Sequence, residues 1–167
     1  MADAAITADE IPEDRQQEAS AIVRSYLGWS AGVSLIPIPW IDLGAVSLVQ
    51  MKMVADLAAL YDVPFSKNLV KTAIGSLLGS AAPFAGTRYL SSYIKSVPVV
   101  GSVLGAFTAP AFTIASTYAV GKVFIRHFES GGTTLNFNTD AMRGFFKKEF
   151  EAGAEESSKA GAEKSSN

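Results

Sequence analysis

Cysteine is absent from this chain, which excludes a disulfide framework, a thiol nucleophile and any cysteine-held metal. Histidine occurs once, as His127, so the paired imidazoles of common zinc sites cannot form. Charge is also scarce. Asp, Glu, Lys and Arg make up 18% of the residues, against roughly 25% in ordinary globular chains. Phosphate-binding and hydrolase signatures are missing as well. Gly121-Lys122 is followed by Val123 without the leading glycine of a nucleotide loop, and no G-x-S-x-G elbow occurs. Asp56 and Asp62 lie on a helix turn and a loop without evident partners, so they do not read as an acid/base pair. The expectation is a non-enzymatic protein with no catalytic, cofactor-binding or metal residues and no cofactor.

What charge there is, is segregated. Residues 1–24 hold six acids against Arg15 and Arg24, and residues 25–128 hold three acids against seven bases. The stretch from 129 onward holds seven acids against five bases. A mildly basic, apolar middle between acidic ends suits an anionic membrane surface. No dense basic stripe or recognition motif points to nucleic acid. The acidic start is unlike a secretory signal and reads as an amphipathic lead-in helix opened by Pro12.

The organising stretch runs from Gly28 to Asp62. Its apolar segment meets Pro37 and Pro39, which break a helix by removing backbone donors and crowding the preceding turn. Beyond them, Ile41, Ala45, Leu48, Val49, Met53, Leu57 and Leu60 recur at three- and four-residue spacing and predict the apolar face of a second helix. Asp42 is placed to begin or cap that helix. Asp42, Gln50, Lys52 and Asp56 read as a thin polar line along it. The elbow, with Leu35, Ile36, Ile38 and Trp40, is itself apolar. If it folds back, each arm of about a dozen residues spans about 18 Å, short of a hydrocarbon core about 30 Å thick. The pair is either a hairpin dipping into one leaflet or the core of a soluble bundle.

Ser66 can cap a further helix, after which Thr72 to Thr87 carries no charge. Gly75 and Gly79 have the small-xxx-small spacing that lets helices approach closely, and the spacing recurs at Gly28–Gly32 and Gly101–Gly105. Tyr89, Tyr93, Arg88 and Lys95 have the character of interfacial anchors. The longest uncharged run, Ser96 to Gly121, exceeds the roughly 20 residues of a bilayer span. Pro110 lies within it, so the run reads as one kinked span, a re-entrant hairpin or a soluble core. Pro83 likewise marks a turn in the run before it. Because Lys and Arg bracket each run on both sides, hairpins that keep both termini and the intervening loops cytoplasmic are expected. His127 reads as a helix C-terminal or interfacial residue. Further on, Asn138 or Thr139 can cap a helix whose Met142, Phe145, Phe146 and Phe150 share a side, facing a membrane, a partner or the bundle. From Gly153 the composition is that of a disordered tail.

The run IPIPWIDLGAVSLVQMKMVADLAALYDV, followed later by TYAVGKVFIRHFESGG, resembles an uncharacterised bacterial helical membrane-domain family. That family occurs alone or attached C-terminally to small Era-like GTPase domains. The likeness covers residues 20–132 and rests on Pro37, Pro39, Asp42, Gln50, Met53, Ala58 and Tyr61, then Tyr118, Gly121 and Phe128. It implies a helical domain associated with the bacterial inner membrane and serving a GTPase partner.

The chain is thus read as all-α, a membrane-associated helical bundle with proline-broken hairpins. An acidic lead-in at 1–24 precedes an apolar domain at 25–132, a short amphipathic helix at 133–152 and a tail at 153–167. The expected function is insertion and oligomerisation as a homo-oligomer in the lipid bilayer, remodelling it or forming a pore. The alternative is a soluble helical protein-interaction module.

Overall fold

The computed structural model describes residues 13–33, 42–93 and 101–165. Those residues form an all-α bundle: α1 (Glu13–Val33), α2 (Asp42–Leu60), α3 (Lys67–Tyr93), α4 (Gly101–Glu129) and α5 (Thr139–Ser165). Pro37, Pro39 and the elbow around them lie outside the described residues. The other two prolines expected to turn a hairpin do not. α3 runs as one helix through Pro83 and α4 as one helix through Pro110. A helix interior tolerates a proline when neighbouring contacts compensate for the missing hydrogen bond. The predicted turns at these two positions are therefore corrected to continuous helix.

α4 is the wall against which α1, α2, α3 and α5 all rest. From Thr113 to Phe128 nearly every side chain is buried, and Ala115, Ala119, Val120, Val123 and Phe124 have no exposed surface at all. Apart from Lys122 and Arg126, which border an open cleft, the lack of charge in this segment is explained by the helices packed around it. Among the described residues no helix is long and apolar enough to cross a membrane. The many Gly, Ala, Ser and Thr residues of the run lower its hydropathy, and their small size suits close helix packing. This overturns the transmembrane and bilayer-insertion reading, and with it the inner-membrane placement with cytoplasmic termini. The homo-oligomer was expected from that reading and the GTPase partner from the family resemblance; neither is supported, and both are withdrawn.

The face of α2 also differs from expectation. Val46, Gln50, Met53, Val54, Leu57 and Ala58 are buried, whereas Leu48 is 60% exposed. At about 100° per residue, Gln50 stands roughly opposite Lys52, so the expected polar line does not exist. Lys52 and Asp56 form an exposed pair at 3.3 Å, and Gln50 faces the core. α2 is apolar almost all round, so its sequence periodicity selects no single face.

Both α2 and α4 end in the same capping geometry. Val63 N–H donates to the Ala58 carbonyl (2.9 Å) and Asp62 N–H to that of Ala59 (3.3 Å), with Asp62 left-handed at φ 55°. After α4, Gly132 N–H reaches the His127 carbonyl (2.9 Å) and Gly131 N–H that of Phe128 (3.0 Å), with Gly131 at φ 78°. These six-to-one and five-to-two bonds satisfy the last free carbonyls and reverse the chain. α5 then starts at Asn138, whose Oδ1 accepts the Ala141 N–H (3.1 Å), an N-cap that was one of the two expected. Phe146 and Phe150 turn back into the core, and Phe112 meets Phe150 edge-on at 5.4 Å. Of the open readings for this aromatic face, the structure selects packing onto the bundle. Gly153 and Ala154 are buried as well, so the packed part of α5 reaches past the expected boundary at 152.

Close approach of helices depends on a glycine that the spacing argument did not single out. A Cβ on Gly121 would lie 2.6 Å from Val23 Cγ2 and 3.4 Å from Met53 Cε, where α1, α2 and α4 meet. Gly75 and Gly79 instead have nothing within 4 Å and are exposed, so they mediate no contact within the described chain. Opposite effects of the same substitution follow. G121A should lower stability by about 1 kcal/mol or more, since stiff, buried Val23 must yield despite the gain in helix propensity. G79A should raise stability by up to about 1 kcal/mol from propensity alone. Urea-unfolding midpoints measure both, and a G121A midpoint at or above that of the parent would refute the packing assignment.

Candidate functional site

The site residues expected from the family resemblance and from glycine spacing divide into two groups. Gln50 meets Thr117 and Met53 meets Gly121 where α2 crosses α4, with Tyr118 between those two α4 positions. Asp42 starts α2 and Gly101 starts α4, as the helix bounds show, with Gly105 one turn on. The side-chain surroundings of Asp42, Gly101 and Gly105 lie outside the described residues.

At the crossing, Gln50 Nε2 donates to Ser116 Oγ (3.2 Å) and Thr117 Oγ1 (3.3 Å), while Ser116 Oγ donates to the Thr113 carbonyl (3.0 Å). All four residues are buried. Gln50 Oε1 is buried with no hydrogen-bond partner, a costly arrangement in an apolar core. Helix periodicity could not reveal this seam, because Ser116 and Thr117 lie in an uncharged run and read as small filler. The seam fixes the register of α2 on α4, and it holds no group suited to acid–base chemistry. Q50L deletes the unpaired acceptor and should change stability by about 1 kcal/mol or less, Ser116 keeping its Thr113 partner. Q50E places an unpaired carboxylate in the core and should cost about 3 kcal/mol or more at neutral pH. Equal effects of the two variants in urea unfolding would contradict the seam's role.

A second polar constellation joins α1 to α2 at the surface. The Tyr26 hydroxyl donates to Asp56 Oδ2 (2.5 Å), and Lys52 pairs with the same carboxylate while lying 5.8 Å from the Tyr26 ring centroid. Burial, then the hydrogen bond to Asp56, pushes the Tyr26 pKa up. This clasp holds the exposed edge of two helices.

The third gathers at the end where α2, α4 and the 130–138 loop meet. Phe124 stacks on Phe137 at 4.6 Å, and His127 meets Phe137 edge-on at 5.0 Å. His127 is buried. Its Nε2 faces two oxygens, the Thr133 carbonyl (2.9 Å) and Asn136 Oδ1 (3.2 Å), so Nε2 carries a proton and donates. Its role is to pin the loop after α4, consistent with its expected place at the helix end. A Cβ on Gly132 would strike this ring at 2.3 Å. Thr134 latches the loop to the one before α3. Its Oγ1 donates to the Pro64 carbonyl (2.7 Å) and accepts the Ser66 N–H (3.1 Å). The latch leaves Phe65, Leu69 and Leu135 at 40%, 45% and 65% exposure, large apolar side chains held outward at one end of the bundle. Lys67 and Lys71, both exposed, flank them on α3.

Tyr61 closes the same end by donating to Glu129 Oε1 (3.1 Å), with the Arg15 guanidinium 6.0 Å from its ring centroid. Burial first, then the Glu129 charge, raises the Tyr61 pKa well above the ordinary phenol value. A group raised in the fold supports stability fully below its unfolded pKa, about 10, and loses that support as pH climbs towards the folded value. Above about pH 10 the parent should lose stability more steeply than Y61F, with Tyr26 supplying a residual slope in both. Parallel pH profiles of the two proteins from pH 8 to 11 would contradict this.

The remaining constellation is an open cleft of about 380 Å³ between α1, α4 and α5, bordered by Gln16, Ser20, Lys122, Arg126, Glu129 and Phe145. Among the described residues, no group of three or more Asp, Glu and His converges to hold a metal ion.

Helices packed around α4 and joined by interhelical polar contacts define an all-α domain. The chain belongs to the family described as Domain of unknown function (DUF697), whose model matches residues 4–153. It is 35% identical over 165 residues to Magnetosome membrane protein 22 of Magnetospirillum gryphiswaldense, a match covering 97% of this chain and 85% of that protein. No solved structure matches.

Proposed function

We propose that this chain is a non-catalytic helical protein-interaction module, docking through the bundle end that displays Phe65, Leu69 and Leu135. The observation that supports this reading is the Thr134 latch. Its two hydrogen bonds hold together two loops on which Phe65 and Leu135 remain exposed. Exposed large apolar groups gathered in one place, unlike scattered ones, mark interaction surfaces. Lys67 and Lys71 beside them suit a protein segment carrying apolar residues flanked by acids. The relative's name places that protein in a membrane. With no membrane-crossing helix among the described residues here, the likeness is carried over as a shared domain.

The absence of cysteine allows a direct test. A benzophenone attached through L135C should form one discrete protein adduct in extracts of the cells that make this chain. The same probe at exposed A152C should not form it, and F65S/L69S should abolish it without lowering the urea midpoint. The same adducts from both positions, or no adduct from L135C, would defeat the proposal.

A further inference from the structure

The α1–α4–α5 cleft has features that the interaction reading does not use. Lys122 and Arg126 stand one turn apart on α4, and each lies against an aromatic ring. Lys122 Nζ is 5.6 Å from the Tyr118 centroid and Arg126 Cζ is 4.5 Å from that of Phe145. Stacking of this kind fixes a long side chain and leaves its donors free. Neither cation forms an ion pair among the described residues, although Glu129 borders the same cleft. The Glu129 carboxylate is engaged by the Tyr61 hydroxyl at its far side. Opposite the cations, α1 contributes the Ser20 hydroxyl and the Gln16 amide, neutral donors one turn apart.

We propose that this cleft binds an organic phosphate. Two cations of different shape and two neutral donors, approaching from separate helices, match an oxyanion with three terminal oxygens better than a planar carboxylate with two. Arg126 offers a fork for paired oxygens and Lys122 a point charge. A volume of about 380 Å³ exceeds what the oxyanion needs. Ile125 and the Phe145 ring provide an apolar wall for a carbon skeleton. Glu129 at the rim disfavours further anionic groups, which selects a single phosphate over a polyphosphate. The site shares no residue with the docking surface of Phe65, Leu69 and Leu135, so it stands or falls independently of it.

Amide-resolved NMR titration of the whole chain at constant ionic strength tests the assignment, with phenyl phosphate, inorganic phosphate and benzoate as probes. Phenyl phosphate should give saturable shifts centred on Ser20, Lys122 and Arg126, and should bind at least tenfold more tightly than the other two. K122Q and R126Q should each weaken it at least tenfold, R126K less so, and the distant K67Q/K71Q variant should leave it unchanged. Spectral dispersion in each variant reports that the fold is retained, and R126K keeps the test open should R126Q lose it. Equal binding of inorganic phosphate would overturn the organic-ligand assignment, and equal binding of benzoate the phosphate assignment. Shifts that follow Lys67 and Lys71, or no saturable shift, would overturn the site.

Discussion

The structure depends on the segment of α4 from Thr113 to Phe128 being packed against helices over most of its circumference, with only the Lys122–Arg126 edge left open. A helix surrounded in this way must keep charge off its covered faces, and it must be narrow where neighbours cross it. Gly121 supplies the narrow point, letting Val23 of α1 and Met53 of α2 sit against the backbone. Ala115 supplies another, where Gly153 of α5 approaches so closely that a Cβ there would be 3.1 Å from the Ala115 Cα. Large side chains fill the spaces between these crossings, Phe124 and Phe128 towards one end and Thr117 beside Gln50 in the middle. The other helices need no strong amphipathic signature, because their shared wall provides the apolar surface.

This explains what could be read from the sequence and what could not. The helix start at Asp42, the cap at Asn138 and the aromatic face of α5 were legible because each rests on local chemistry: a short polar side chain at a helix entry, or a three-to-four spacing. The all-α class followed for the same reason. The environment of the uncharged run was not legible. Lipid and protein core both exclude charge, so composition alone does not distinguish them. The choice depends on whether other helices cover the run, which is a long-range fact. The prolines at 83 and 110 misled because a proline disfavours a helix interior without forbidding it, and α3 and α4 run on through them.

The constellations were harder still. Gln50 read as part of a thin polar line with Asp42, Lys52 and Asp56, and its partners Ser116 and Thr117 lie more than sixty residues away. The glycine pairs were legible as spacing, yet spacing does not tell which pair meets a neighbour. Gly121, without a glycine four residues away, makes the tight contact, while Gly75 and Gly79 face outward. Thr134 carried no signal at all. Its importance comes from two loops, distant in sequence, meeting at one end of the bundle. Kinship with a family of unknown function leaves these contacts as the ground on which function must be argued. The chain's own geometry sets Met53 against Gly121, and Gln50 against Ser116 and Thr117, where α2 crosses α4.

Native-state hydrogen exchange tests the central claim most directly, because it reports which backbone segment opens last. If α4 is the wall on which the other helices rest, its amides from Ala115 to Phe128 should exchange only through global unfolding, with an opening free energy equal to that from urea denaturation. Those of α1 and of α5 beyond Ala154 should exchange through smaller openings. Faster exchange in the Ala115–Phe128 segment than in α1 or α5 would show that the bundle does not depend on α4.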